Sequence, residues 1–270
     1  MVVPPERATI SIFDRGFLFG DGLFETLRTW NTFPVDLDAH LERMQQAASA
    51  LQMPIDLAKL RTAVRTILAA AGDNQDWRLK LIVTRGQGGF AMRFAEVKAG
   101  HTIVIAEPLP APVTEISAAI IAWEVPQREA AYKSLSYLDS LIAKELAAQR
   151  GADEALRLGD DGGVVEGATS NLFIVKSGTV QTPPVNTGVL SGVTRAHVIE
   201  CCNELRIPVL ERWLTISEVR DADEIFVTSA VRGIASVTRL DGEVLDSTPV
   251  ITQKLRSAYV ARMSRATIAV

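Results

Sequence analysis

The sequence predicts an α/β protein with one marked candidate for a domain boundary. Three observations carry that expectation. Short β-branched runs, among them Leu23 to Trp30, Arg78 to Thr84, Ile116 to Ala122, Leu172 to Val175 and Glu224 to Ser229, are interspersed with longer segments of helical spacing. The stretch Glu107-Pro108-Leu109-Pro110-Ala111-Pro112 sets three prolines within five residues, which makes it a semi-rigid linker. A chain of 270 residues can hold one large or two modest domains around a sizeable core.

Composition narrows the function classes. With 47% hydrophobic and 22% charged residues the chain reads as globular, neither disordered nor fibrous. A net charge of −4 gives no electrostatic case for nucleic acid or an anionic membrane. No apolar run approaches the roughly 18 residues of a spanning helix. The first residues lack the basic start and apolar centre of a signal peptide, so a cytoplasmic location is the expectation. Cys201 and Cys202 are adjacent and have no other cysteine to pair with, which rules out a disulfide framework. His40, His101 and His197 are isolated from metal-ligand spacing, so no metal is expected.

In chain order, Ile10 to Phe13 alternates like a short strand, and Gly20-Asp21-Gly22 reads as a turn before the strand Leu23 to Trp30. Phe24, Thr26 and Arg28 share one face of that strand. Asp38 is a plausible N-cap for a helix whose stripe is Leu41, Met44, Ala48 and Leu51. Arg43 lies off the stripe, where an arginine is ordinarily solvated. A second helix runs from Leu57 to Ala71 and stops at Gly72, followed by the strand to Thr84 and the loop Arg85-Gly86-Gln87-Gly88-Gly89-Phe90. Arg85 and Arg93 flank that loop; it suits a carboxylated small molecule, or is a mobile solvent loop. His101 to Ala106 is a further strand.

Beyond the prolines, Lys133 sits on a loop entering a helix. That helix has Ser136 and Asp139 in capping-box positions, an apolar face of Tyr137, Leu138, Leu141 and Ala148, and Gly151 at its end. Flanked by Tyr132 and Leu135, Lys133 could be partly desolvated and able to form a Schiff base, although most loop lysines are solvated. Glu166 follows the Gly-rich turn Asp160-Asp161-Gly162-Gly163 and Val164-Val165, and precedes the small residues Gly167-Ala168-Thr169-Ser170. It is a carboxylate delivered by a strand into an elbow that a flat molecule could approach, or a solvated Glu at a strand end. A hairpin at Lys176-Ser177-Gly178 follows. Gly188-Val189-Leu190-Ser191-Gly192-Val193-Thr194-Arg195 then opens a helix whose free first-turn N–H groups and Thr hydroxyl form a phosphate cradle by geometry, as ordinary helix starts also can. Thr228-Ser229-Ala230 is a second small-hydroxyl site, and Gln253 to Ser264 is the terminal helix.

In this order the segments are specific. The sequence resembles fold-type IV pyridoxal-phosphate enzymes, the class IV branched-chain and D-amino-acid aminotransferases and aminodeoxychorismate lyases, over nearly its whole length. The markers are Asp14-Arg15-Gly16, Phe19-Gly20-Asp21-Gly22-Leu23-Phe24-Glu25 and His40-Leu41-Glu42-Arg43, then Lys133-Ser134-Leu135-Ser136-Tyr137-Leu138 and Glu166-Gly167 with Ser170-Asn171-Leu172-Phe173. Gly192-Val193-Thr194-Arg195 and Phe226-Val227-Thr228-Ser229 complete the set.

The resemblance implies pyridoxal 5'-phosphate as cofactor, Lys133 as its Schiff-base lysine and catalytic base, and Glu166 as partner of the pyridine nitrogen. Arg43, Val193, Thr194 and Ser229 would hold the phosphate. It also implies two α/β domains, residues 1–107 and 113–270 about the linker 108–112, and a homodimer acting on a small amino substrate.

Departures shape the expected reaction. Ser136 stands where relatives often have Asn, and Ala230 where they often have Thr. The Arg-x-His pair of D-amino-acid aminotransferases is missing after Arg85, and the Gly-rich loop there resembles the lyases. The leading expectation is therefore 4-amino-4-deoxychorismate lyase, forming 4-aminobenzoate and pyruvate, with Arg85, Arg93 and Arg128 as cations for the substrate carboxylates. The alternative is a transaminase of D-amino acids, branched-chain amino acids or (R)-amines. A non-catalytic binding module would predict loss of Lys133 or Glu166, and both are present.

Overall fold

Alternation of apolar and polar side chains along Gly22–Trp30 (β1) builds the first sheet of the computed structural model, which describes residues 2–88, 90, 93, 97, 100–122, 132–185 and 188–266. Two units partition the chain: Met1–Pro110 with Tyr132–Tyr137, and Ala111–Ala131 with Leu138–Val270. The stretch carrying Lys133 thus belongs with the first unit, where a linear division would put it in the second.

In the first unit a 3-10 turn at Pro5–Arg7 and the short helix Arg15–Phe19 (α1) precede β1. Then come Phe33–Pro34 (β2), Leu37–Ala50 (α2), Leu57–Ala71 (α3), Trp77–Thr84 (β3) and Thr102–Pro108 (β4). The sheet order is β2-β1-β3-β4 with antiparallel neighbours, β1 and β3 pairing from Gly22 opposite Thr84 to Arg28 opposite Arg78. Leu23 and Leu27 of β1 join Leu79, Leu81 and Val83 of β3 against Leu41, Met44 and Ala48 of α2 and Leu60 and Val64 of α3. Leu41, Met44 and Ala48 of the expected α2 stripe are buried and Leu51 is half-buried, but the N-cap is Asp36, in a left-handed conformation at φ 52°, rather than Asp38. Ile10 to Phe13 is a turn rather than a strand, the Asp14 amide donating to Ser11 O; four alternating residues without a partner strand gain no ladder.

The second unit contains Glu115–Ile121 (β5), Leu138–Gln149 (α4), Glu154–Leu158 (β6), Val164–Gly167 (β7), Asn171–Lys176 (β8) and Thr179–Thr182 (β9). It continues with Val193–Glu204 (α5), Val209–Glu211 (β10), Ile216–Arg220 (α6), Glu224–Ser229 (β11), Gly233–Leu240 (β12), Glu243–Val244 (β13) and Val250–Ala266 (α7). The sheet order is β10-β9-β8-β11-β12-β5-β6-β7, with β13 on β12; β9/β10, β5/β12 and β5/β6 are parallel. One core cluster takes Ile116, Leu156, Leu172, Ile174, Ile225, Val227, Ala235 and Val237. A second, of small side chains, sets Ala143 and Ala147 of α4 against Ala119, Ile121, Ala155 and Ala168. The expected apolar face of α4 is thereby corrected: Leu138 and Leu141 are exposed, and the helix packs closely through its alanines.

Leu41 is inaccessible to solvent whereas Leu138 is 67% exposed. Leu41→Ala is expected to cost about 2–5 kcal/mol in denaturant unfolding and Leu138→Ala less than about 0.5 kcal/mol.

Candidate active site

Glycines decide where Lys133 lies within the first unit. Gly20 ends α1 with φ +66°, and a Cβ there would stand 2.5 Å from Ser136 Oγ. At Gly22 a Cβ would meet Leu135 Cδ1 and Val83 O, each at 2.6 Å. With both side chains absent, the chain at 133–136 lies against β1. The Leu135 amide donates to Gly22 O, the Phe24 amide donates to Lys133 O, each at 2.9 Å, and Leu23 and Ser134 form a β-bridge. Lys133 Nζ sits 4.7 Å from the centre of the Phe24 ring and 5.9 Å from that of Tyr137. The two rings meet edge-on at 5.1 Å. This half-buried lysine lies over two aromatic faces, which attract its ammonium form.

Arg43, far from solvated, grips Glu25. Its Nε donates to Oε1 at 2.8 Å and Nη2 to Oε2 at 2.5 Å, and His40 Nδ1 donates to Oε2 at 2.7 Å. Glu25 is 1% exposed. Burial alone would raise its carboxyl, but the His40 hydrogen bond and the Arg43 charge outweigh that and bring it down to about 2. Glu25 and His40 are the partners that sequence reasoning missed; their places in the two motifs that flank β1 and open α2 were the available signal.

The three expected substrate arginines fare differently. Arg85, rather than facing a ligand, is buried with Nε donating to Asp21 at 2.8 Å and Nη1 and Nη2 donating to the Gln52 and Leu51 carbonyls. It pins the end of α2, whose carbonyls need donors. Arg93 is exposed, and Arg128 lies outside the described residues.

Glu166 belongs to the second unit. It is 7% exposed on β7, so the solvated alternative falls away. Arg157, its register partner on β6, donates from Nη2 to Oε1; the Leu190 amide donates to Oε2 at 3.0 Å and Asn171 Nδ2 lies 3.5 Å from the same oxygen. Asn171 Nδ2 also donates to Leu190 O at 2.8 Å, and a Cβ on Gly192 would fall 1.9 Å from Asn171 Oδ1. Glu166 is in this way tied to the loop that opens α5.

That helix starts at Gly192 without a side-chain cap, and Val193 and Thr194 form its first turn. Its leading N–H groups therefore suit an anion. Thr194 Oγ1 lies 3.5 Å from Tyr259 OH. Ser229 ends β11 and accepts from the Arg232 amide at 3.4 Å. Its neighbour Thr228, paired in register with Asn171, buries a hydroxyl with no hydrogen-bond partner among the described residues, as does Ser170. An uncapped helix start, orphaned buried hydroxyls and a fixed carboxylate together fit a phosphorylated heterocycle.

The family model described as amino-transferase class IV matches residues 22–240. The chain belongs to this family. It is 36% identical over 266 residues to a protein of Methanocaldococcus jannaschii assigned as a branched-chain-amino-acid aminotransferase, covering 95% of this chain and 92% of that one. A D-alanine aminotransferase of Bacillus licheniformis is 30% identical over 246 residues, covering 89% and 86%. Among solved structures, the branched-chain aminotransferase of Thermoproteus uzoniensis superposes with a TM-score of 0.89 at 30% identity, covering 97% of this chain and 91% of that one. A Legionella pneumophila protein assigned as a 4-amino-4-deoxychorismate lyase gives 0.85 at 29% identity, covering 96% and 97%. As a class IV enzyme of fold type IV the chain uses pyridoxal phosphate. Among the described residues, no helix is long and apolar enough to cross a membrane.

The charge on Glu25 carries a pH signature. Its depressed carboxyl contributes stability that is complete above the unfolded value of 4.5 and is lost as pH falls toward about 2. Glu25→Gln should flatten the unfolding free energy across that window and remove on the order of 3 kcal/mol at neutral pH, measured by denaturant titration at several pH values.

Proposed function

We propose that this class IV enzyme is a transaminase of small α-amino acids. The likeness to branched-chain and D-alanine aminotransferases carries the reaction type, and the fixed carboxylate of Glu166 beside the uncapped start of α5 supports the cofactor chemistry. Pyridoxal phosphate, when bound, supplies the electron sink for the carbanion formed at the substrate α-carbon. Lys133 Nζ would hold the cofactor and act as the base that moves the substrate α-proton. Glu166 would offer negative charge to the ring nitrogen and so favour its protonated form. Val193, Thr194, Ser229 and Arg43 would bind the phosphate, Arg43 with its guanidinium aligned by Glu25 and His40.

The lyase reading retains two supports, the Gly-rich segment after Arg85 and the likeness to the Legionella protein. Its argument from a cationic cleft mouth is weakened, because Arg85 spends its donors inside the first unit. We also infer a homodimer: Ile12, Phe13, Phe17 and Phe19 leave apolar surface exposed along the start of the chain, at 66%, 50%, 66% and 44%.

Purified enzyme should absorb in the visible, and borohydride should fix the cofactor on Lys133; an adduct mapped to Lys80 or Lys144 would overturn the assignment. Lys133→Ala should fold yet lose turnover by several orders of magnitude, and Glu166→Gln should lose on the order of 10²-fold while retaining cofactor. Conversion to the pyridoxamine form by L-branched-chain amino acids or D-alanine, with keto acid released, supports transamination. Stoichiometric pyruvate and 4-aminobenzoate from aminodeoxychorismate, without that conversion, would assign the lyase.

A further inference from the structure

Arg157 is, with Glu154, one of two buried charges on β6. Its neighbours on β6 are Ala155 and Leu156, both inaccessible to solvent, and Arg157 itself is 9% exposed. Its Nη2 donates to Glu166 Oε1, while its Nε is buried with no hydrogen-bond partner among the described residues. A guanidinium held this way pays a desolvation penalty that its one carboxylate partner only partly offsets, and an aliphatic side chain would fill the place without it. Stability therefore does not account for the residue.

Its electrostatic consequence falls on Glu166. A lone carboxylate presents a full negative charge to a protonated nitrogen that it faces. Paired with Arg157, the same carboxylate presents a weaker field there, because the guanidinium charge opposes it. The amide of Leu190 and the side chain of Asn171 fix the other oxygen, so the carboxylate cannot turn away from the arginine to restore its field.

We propose that Arg157 is a positioning residue that sets the effective charge of Glu166, loosening the hold of the enzyme on the proton of the cofactor ring nitrogen. This rests on the reading that Glu166 faces that nitrogen. Arg157 touches neither cofactor nor substrate in this role. It acts through Glu166 alone, so its effect reads out on the nitrogen rather than on cofactor retention.

The test uses holoenzyme loaded with pyridoxal phosphate labelled with 15N in the ring, following the nitrogen resonance against pH, with thermal unfolding alongside. Arg157→Leu should hold the ring proton about tenfold more tightly than the wild type, one pH unit in the titration midpoint. Arg157→Lys, which keeps the charge, should stay near the wild type. Should the leucine variant fail to fold, Arg157→Gln retains a donor without the charge and should show the same tightening. Midpoints for the neutral variants that match the wild type, with any change confined to the melting temperature, would reduce Arg157 to a structural ion pair and overturn the proposal. Glu166→Gln separates the two levels. If that variant leaves the nitrogen titration unmoved, Glu166 does not face the ring, and the functional reading fails together with the inference.

Discussion

The first unit depends on a steric allowance at two glycines. Without side chains at Gly20 and Gly22, the 133–136 segment can hydrogen-bond along the start of β1; with a Cβ at either, atoms would overlap at 2.5–2.6 Å. No rotamer change could relieve the overlap with the Val83 carbonyl, because that atom belongs to β3 of the same sheet. The lysine is thus laid onto a finished strand from a distant part of the sequence, and Phe24 and Tyr137 set the surface it rests on.

Around that seam the first unit holds two buried carboxylates and one half-buried one, each answered by a cation or donors. Asp14 accepts from the Gly16 amide, Thr84 Oγ1 and His101 Nδ1; Asp21 takes Arg15 and Arg85; Glu25 takes His40 and Arg43. The alternation of charge, glycine and phenylalanine between Asp14 and Glu25 is in this light a bracing pattern. Its acids hold α1, β1, β3 and α2 together. In the second unit the partners of Glu166 include the Leu190 amide, the Asn171 side-chain amide and Arg157.

Much of this was legible in the sequence. The stripe of α2, the extent of α3 and the hairpin of β8 and β9 follow from local periodicity and turn chemistry, and they hold in the structure. So does the elbow after Glu166. Non-local matters were hidden. Arg85 looks solvent-facing beside glycines, and only the arrival of α2 shows that it caps carbonyls. The face of α4 misled because leucine outranks alanine in hydrophobicity, whereas close packing against Ala119 and Ala155 selects small side chains. Arg157 gave no local signal at all; β6 follows a Gly151 turn, and its arginine acquires meaning only from the register with β7.

Because the first unit recruits Tyr132–Tyr137 from beyond an excursion into the second, Lys133 is attached by a few backbone bonds that local fluctuations can open without unfolding the sheet. The amides of Phe24 and Leu135 are the natural reporters of such opening, since both lie on the seam. Their exchange with solvent deuterium would measure how much of the time this segment is detached while the sheet stays folded, a quantity that conventional melting curves average away.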